Sequence, residues 1–171
     1  MVPPRHASFA PHVGADARLL ILGSLPGARS LAERRYYAHP TNQFWRLVGA
    51  AIDRPLAMLD YEDRLAALAR ARVGLWDVIR SAERRTSSDG DIREAEAHDL
   101  ADLVARLPDL RMIAFNGGKA AAIGRRQLPE PGAVTLVDLP SSSASNTIWF
   151  EAKHERWMGL RRALAPGGPT A

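Results

Sequence analysis

Four short runs of mostly apolar residues punctuate the chain: Ala17–Leu22 (ARLLIL), Val73–Trp76 (VGLW), Arg111–Phe115 (RMIAF) and Val134–Leu139 (VTLVDL). None alternates cleanly between apolar and polar positions, which is the pattern of strands covered on both faces in a parallel sheet. Between them the apolar residues recur at helical spacing. The segment Asn42–Ile52 carries Phe44, Leu47, Val48, Ala51 and Ile52 on one stripe, with Pro55 just beyond its end. Tyr61–Ala71 repeats Leu and Ala in the same way, and Ile92–Leu107 does so before Pro108. Gly118–Arg126 follows the third strand, and Lys153–Ala165 closes the series. Strands separated by helices predict an α/β fold around a parallel sheet.

At 171 residues, 46% of them hydrophobic and 25% charged, the chain has the make-up of a folded globular protein and not of a disordered one. One domain over 1–171 is expected, with a core from about 17 to 164 between Pro- and Gly-rich tails. The apolar runs are far too short to cross a bilayer and the start does not read as a signal peptide, so no membrane and a cytoplasmic location are expected. Cysteine is absent, which excludes disulfides, thiolate nucleophiles, thiolate zinc sites and iron–sulfur clusters. His6, His12, His39, His98 and His154 are too widely spread to make a metal-ligand spacing. No HExxH, P-loop or GxGxxG occurs, and neither metal nor cofactor is expected. The formal charge of +4 permits an anionic partner without demonstrating one. No coiled-coil pattern argues for an oligomer, and a monomer is expected.

Small and polar residues crowd the stretch after each predicted strand. The first strand runs into Gly23-Ser24-Leu25-Pro26-Gly27, the second into Asp77 and later Ser87-Ser88-Asp89-Gly90. The third gives Asn116-Gly117-Gly118-Lys119 and the fourth Pro140-Ser141-Ser142-Ser143-Ala144-Ser145-Asn146. An ordinary turn explains any one of these. Four at the carboxyl edge of one sheet predict a ligand site, because ligands of open parallel sheets bind there and small residues let backbone approach them. The segment Tyr36–Trp45 (YYAHPTNQFW) is the densest in candidate chemistry. Asn42 either caps a helix or presents its amide to a water or a substrate edge. Tyr37 is placed to stack on a flat ring while Tyr36 fills the core beneath it. Phe44 and Trp45 read as packing residues, and Arg84 and Arg85 as a solvated face.

Five segments, GSLPGARSL, YYAHPTNQFW, VGLWDVI, AFNGGKA and LPSSSASN, stand in the order found in the uracil-DNA glycosylase superfamily. The chain most resembles its hypoxanthine-DNA glycosylase (DNA-deoxyinosine glycosylase) branch, from about Ala17 to Leu164. The resemblance implies a three-layer αβα sandwich with a central four-stranded parallel sheet. It also implies removal of damaged bases from DNA by cleavage of the N-glycosidic bond. Carried over by position, Asn42 is the catalytic residue and Tyr37 the aromatic that stacks on the flipped base. Gly23, Ser24, Leu25 and Pro26 line the base pocket with Asn116, whose alternative reading is an ordinary turn residue. Gly27, Lys119, Ser141, Ser142, Ser143 and Asn146 are the expected DNA contacts, Lys119 having a solvated side chain as its alternative. Leu25 and Leu139 stand where the uracil-specific enzymes carry a carboxylate and a histidine, which counts against efficient uracil excision.

The expected partner is therefore damaged DNA, duplex or single-stranded. The expected reaction extrudes the nucleotide, holds its base, and lets Asn42 position water at the anomeric carbon as the sugar becomes cationic. The loop Ser142–Asn146 lacks a large apolar side chain, and weak insertion into the duplex is expected. Three rival readings remain open. One is a mismatch-specific uracil or thymine glycosylase, and another a catalytically silent DNA-binding module of the same fold. A serine hydrolase is the third, although no GxSxG elbow is present.

Overall fold

Each of the four apolar runs becomes a strand of one parallel sheet in the computed structural model, which describes residues 2–128 and 132–166. These strands are β2 (Leu19–Gly23), β3 (Val73–Asp77), β6 (Met112–Asn116) and β7 (Thr135–Leu139), arranged in the order β3-β2-β6-β7. Successive residues point to opposite faces. Leu19 and Ile21 of β2 and Met112 and Ala114 of β6 pack under α2 (Phe44–Ile52), α3 (Tyr61–Arg70), α6 (Phe150–Met158) and α7 (Arg161–Leu164). Leu20 and Leu22, with Ile113 and Phe115, pack under α4 (Leu100–Ala105) and α5 (Gly118–Gln127). A strand covered on both sides has no face for polar residues, which is why Leu19–Leu22 and Met112–Phe115 are continuously apolar, whereas the edge strand β7 leaves Thr135 and Asp138 exposed. The result is three layers, helices on sheet on helices, as the family resemblance implies.

Chain direction opens the site. From β2 the chain moves to β3 on one side, and only later returns to β6 on the other side of β2. The loops leaving β2 and β6 therefore run apart, and a crevice forms at the carboxyl ends of these two strands. A short helix, α1 (Ala28–Glu33), follows the first of those loops.

Three sequence expectations need correction. The stretch Ile92–Leu107 is not one helix: Arg93–Ala97 is strand β5, followed by α4. Strand β5 pairs antiparallel with β4 (Ile79–Glu83), which pairs in turn with β1 (Arg5–Ala7), making a second sheet of three strands. Ala and Glu favour a helix locally, but all of β5 is exposed and its partners decide its form. Glu96 receives Arg80 of the adjacent strand β4 at 2.8 Å and Arg5, from β1 on the far side of β4, at 2.6 Å. The helix begins only at Asp99, whose side chain accepts the Asp102 N–H at 3.0 Å. The N-terminal segment, expected to be a tail, is likewise tied down by β1. The Tyr36 hydroxyl also donates to Ala10 O at 2.8 Å, and the Trp76 indole to Phe9 O at 2.9 Å. At the other end the predicted closing helix is two, α6 and α7, and the Gly/Pro tail beyond 166 lies outside the described residues.

Helix α2 carries the catalytic candidate at its head, and Gly49 sets how the chain leaves its tail. The Arg54 N–H donates to Gly49 O at 2.9 Å, folding the chain back over the helix. A Cβ on Gly49 would lie 2.6 Å from the backbone oxygen of Arg54. Gly49→Ala is expected to lower stability by about 1–3 kcal/mol through this overpacking, in spite of alanine's better helix propensity. The urea midpoint of the variant checks this.

Candidate active site

The crevice is a cavity of about 740 Å³, the size of a small-molecule pocket. Every site residue expected from the sequence lines it except Lys119, which is half-buried on the first turn of α5 and outside the cavity.

The first wall is the loop after β2. The Ser24 hydroxyl donates to Asp89 Oδ1 at 2.6 Å, and Leu25 is buried in the apolar cluster beneath. The backbone carbonyls of Leu25 and Pro26 both accept from Arg84. Arg84 is thus not the solvated residue expected but a 2% exposed cation that holds the loop, with its Nε left without a partner. Arg85 stays exposed. An arginine is buried here because loop carbonyls facing inward need donors, and guanidinium supplies several from one side chain.

The opposite wall is the loop after β7, and it is fastened from α6. Lys153 is fully buried and donates to Ser143 O at 3.1 Å, Asn146 O at 3.0 Å and Gln43 Oε1 at 3.0 Å. Burial pushes its ammonium below the usual lysine range. The Trp157 indole adds a bond to Pro140 O at 3.0 Å. In the sequence Lys153 stands out only as one of two lysines, and nothing local marks it as the clamp of a loop.

Between the walls runs a chain of amides and hydroxyls. Asn42 lies one residue ahead of Gln43, the N-cap of α2, and its Oδ1 accepts the Phe44 N–H at 2.9 Å. The same oxygen also accepts the Ser142 hydroxyl at 2.9 Å. Ser142 Oγ accepts from Asn116 Nδ2 at 2.9 Å, and its N–H donates to Asn116 Oδ1 at 2.9 Å. Asn116 Nδ2 reaches the Tyr37 hydroxyl as well, at 3.2 Å. Gly117, at φ 99°, lets the chain turn from β6 directly beneath Ser141, where a Cβ would come within 3.3 Å.

Tyr37 itself has a left-handed backbone (φ 51°), an arrangement that costs roughly 1–3 kcal/mol in a bulky residue. Its carbonyl is held by the Trp45 indole at 3.1 Å, and its ring stacks on Phe44 at 3.7 Å and 11°. Phe44 is fixed in turn, edge-on, by Trp45 and Trp157. Tyr36 lies below in the core, as expected from the sequence.

Asp77, named in the sequence only as the residue that follows the second strand, was given no role there. It ends β3, lines the cavity and is only 4% exposed, yet its Oδ2 has no hydrogen-bond partner. Gly23 leaves room for it: a Cβ there would lie 2.6 Å from Asp77 Oδ1 and 2.9 Å from the Tyr37 hydroxyl. Burial, reinforced by the Asp89 carboxylate and opposed by Arg84, pushes the Asp77 carboxyl up to about 7. The same environment raises the Tyr37 hydroxyl, first by burial and then by Asp77. The available signal was position alone: an acid at the carboxyl end of an inner-sheet strand.

Comparison with known proteins places these features in a family. The family model described as the Uracil DNA glycosylase superfamily matches residues 10–161. The chain is 40% identical over 147 residues to the hypoxanthine DNA glycosylase of Methanosarcina acetivorans, spanning 86% of this chain and 92% of that protein. It is 36% identical over 149 residues to the hypoxanthine DNA glycosylase of Methanosarcina barkeri, spanning 87% and 93%. A solution NMR structure of a Methanosarcina acetivorans protein superposes with a TM-score of 0.82 at 35% identity, covering 94% of this chain and 99% of that one.

The buried acid gives the fold a pH dependence of definite sign. Asp77 binds its proton more tightly folded than unfolded, so its contribution to stability falls as pH rises from 3.8 to about 7 and levels off above that. Asp77→Asn cannot ionise. The variant is expected to gain stability over the parent across this range, reaching a few kcal/mol at most at neutral pH. Thermal melts of both proteins at several pH values check it.

Proposed function

The chain belongs to the uracil DNA glycosylase superfamily, and from that premise we propose that it hydrolyses the N-glycosidic bond of deoxyinosine in DNA and releases hypoxanthine. The observation that carries the reading is the bonded series Tyr37–Asn116–Ser142–Asn42 along one cavity. Two relatives at 36–40% identity bear the name hypoxanthine DNA glycosylase.

A base inside a duplex is out of reach, so the nucleotide must swing into the cavity, at a cost of a few kcal/mol in lost stacking and pairing. Tyr37, backed by Phe44, offers a flat surface for the extruded base. As the C1′–N9 bond lengthens, its electron pair moves onto the base and the sugar becomes oxocarbenium-like. Donors around the base then gain strength as charge develops, which lowers the barrier. Asn42 meets the other half of the reaction. Its oxygen is already bonded to Phe44 N–H and Ser142 Oγ, so its amide NH₂ is the group left for a ligand. Donating to a water oxygen, it holds that water at C1′ with a lone pair directed at the carbon. A strongly cationic sugar needs a placed water more than a deprotonated one. No lysine amine is positioned for a lyase step: Lys153 is engaged by three acceptors and Lys119 lies outside the cavity.

The DNA-facing loop has an apolar edge just beyond the segment where the sequence reading looked for one. Ile148 and Trp149 follow directly after Asn146 and are 47% and 82% exposed. The loop Ser141–Asn146 lacks a bulky side chain, and these two exposed side chains follow it closely in the chain. They are suited to pack against the bases that the extruded nucleotide leaves behind.

Single-turnover base release from duplexes holding one hypoxanthine or one uracil tests the reading. Hypoxanthine is expected to be released, faster than uracil, and Asn42→Ala is expected to slow release at least ~100-fold, the scale of a lost catalytic group. Release of uracil alone would assign the mismatch-specific activity instead, and release of neither would leave a DNA-binding module. Trp149→Ala is expected to weaken binding to an abasic duplex by about 5- to 100-fold at fixed salt, the range of one lost base–aromatic stack. Unaltered affinity would remove Trp149 from the interface.

A further inference from the structure

We propose that Asp77, in its neutral carboxylic acid form, reads the lactam edge of the extruded base, its carbonyl oxygen accepting the base N1–H and its O–H donating to the base O6. This inference rests on the glycosylase reading of the site and adds the group that meets the base.

Depth assigns the role. A flipped nucleotide is tethered through its sugar to the DNA backbone, so its base enters first and the sugar stays at the mouth. The groups at the bottom of the cavity therefore face the base edge. Asp77 and Asn116 are buried there, whereas Asn42, Ser143 and Asn146 are nearer the surface. Asn116 is already used, its oxygen by Ser142 N–H and its nitrogen by Ser142 Oγ and the Tyr37 hydroxyl. Asp77 has no hydrogen bond from any of the described residues to either carboxyl oxygen, and Oδ2 is wholly shielded. A buried polar group without a partner is costly, and here it lines the one wall that a ligand would cover.

The surroundings favour the acid over the carboxylate. The charged and titratable groups that face Asp77 are Tyr36 and Tyr37 from the segment before α2, Asp89 from the loop before β5, and Arg84 after β4. The two phenols are neutral. Arg84 directs its amino groups to the Leu25 and Pro26 carbonyls instead of pairing with Asp77. Asp89 adds negative charge, and the carboxyl is accordingly pushed up to about 7. A neutral acid is donor and acceptor at once, the pattern that the N1–H and O6 of hypoxanthine require. When the glycosidic bond breaks, O6 shares the negative charge left on the base, and the Asp77 O–H bond to it strengthens. The proton stays on Asp77 through this step. The attacking water forms the new C1′–O bond and gives its own proton to solvent, so the two halves balance.

The test is the rate of hypoxanthine release under single-turnover conditions between about pH 5.5 and pH 8.5, for the parent protein, Asp77→Asn and Asp77→Ala. The parent is expected to lose rate as pH rises through about 7, tenfold for each unit above it once the acid is the minor form. Asp77→Asn keeps a donor and an acceptor that do not titrate. It is expected to release hypoxanthine within about tenfold of the parent's low-pH rate, without this falling limb. Asp77→Ala is expected to lose at least ~100-fold at every pH while still binding an abasic duplex, which has no base to read. The same falling limb in Asp77→Asn would overturn the proposal, because another group would then be titrating. So would a parent-like rate in Asp77→Ala, or an Asp77→Asn protein that binds abasic duplex yet releases nothing, since a carboxylate would then be required. Absence of base release by the parent from any duplex is a separate outcome, and it overturns the glycosylase reading on which the proposal stands.

Discussion

The Ser142 hydroxyl is the joint on which the functional end of this molecule depends. It accepts from Asn116 at the end of β6 and donates to Asn42 ahead of α2, a hundred positions earlier in the chain. The direction of these bonds is not free. The Phe44 N–H can only donate, so it fixes the oxygen of Asn42 on the helix side. That oxygen draws the Ser142 proton, and Ser142, having given its proton, must accept from the nitrogen of Asn116. Amide orientation is usually an open choice between nitrogen and oxygen; here two backbone N–H groups decide it, that of Phe44 for Asn42 and that of Ser142 for Asn116. The consequence is chemical. Asn42 offers a ligand its NH₂ group and not its carbonyl oxygen, so it holds a water through the water's oxygen.

Two irregular loops wall the cavity in which this network lies, and each is secured by one buried cation from a later part of the chain. Arg84 holds the loop after β2 through the carbonyls of Leu25 and Pro26, and Lys153 holds the loop after β7 through those of Ser143 and Asn146. Burying a charge carries a desolvation cost, and hydrogen bonds from a charged donor, about 1.5–3 kcal/mol each, offset it. An apolar side chain of the same size would leave those carbonyls without donors. The loops are thus rigid in spite of lacking regular structure, as a site that must place a water and a base requires.

Unmet polarity among the described residues gathers around the same cavity, beside one of the five left-handed non-glycine residues. Tyr37 occupies a left-handed conformation, Asp77 has a buried oxygen with no partner, and Arg84 a buried nitrogen with none. Away from the cavity the packing is conventional: β2 and β6 are sealed between two apolar clusters. Local strain and unmet polarity at a site, balanced by a well-packed sheet beneath it, are the marks of a binding pocket.

The chain announced its parallel sheet because a strand covered on both faces has to be apolar throughout, and Leu19–Leu22 and Met112–Phe115 can be nothing else in an α/β protein. The loop residues were legible for a similar reason: small residues at strand ends mark where backbone must come close to a ligand, and twelve of the thirteen expected site residues line one cavity. Asn42 was visible as both cap and site residue; it stands one residue ahead of the cap, bonds the first N–H of α2 and lines the cavity. What the sequence could not express was which distant group answers which. Arg93–Ala97 reads as helix until Arg5 and Arg80 arrive from other strands to pair with Glu96. Arg84 looks solvated until the loop after β2 turns its carbonyls inward. Asp77 is an unremarked acid until Gly23 and Tyr37 close over it and nothing donates to it. The period of apolar residues is a local property and is written along the chain; burial and pairing of charge depend on what tertiary structure brings within a few ångströms, and only the folded molecule decides them.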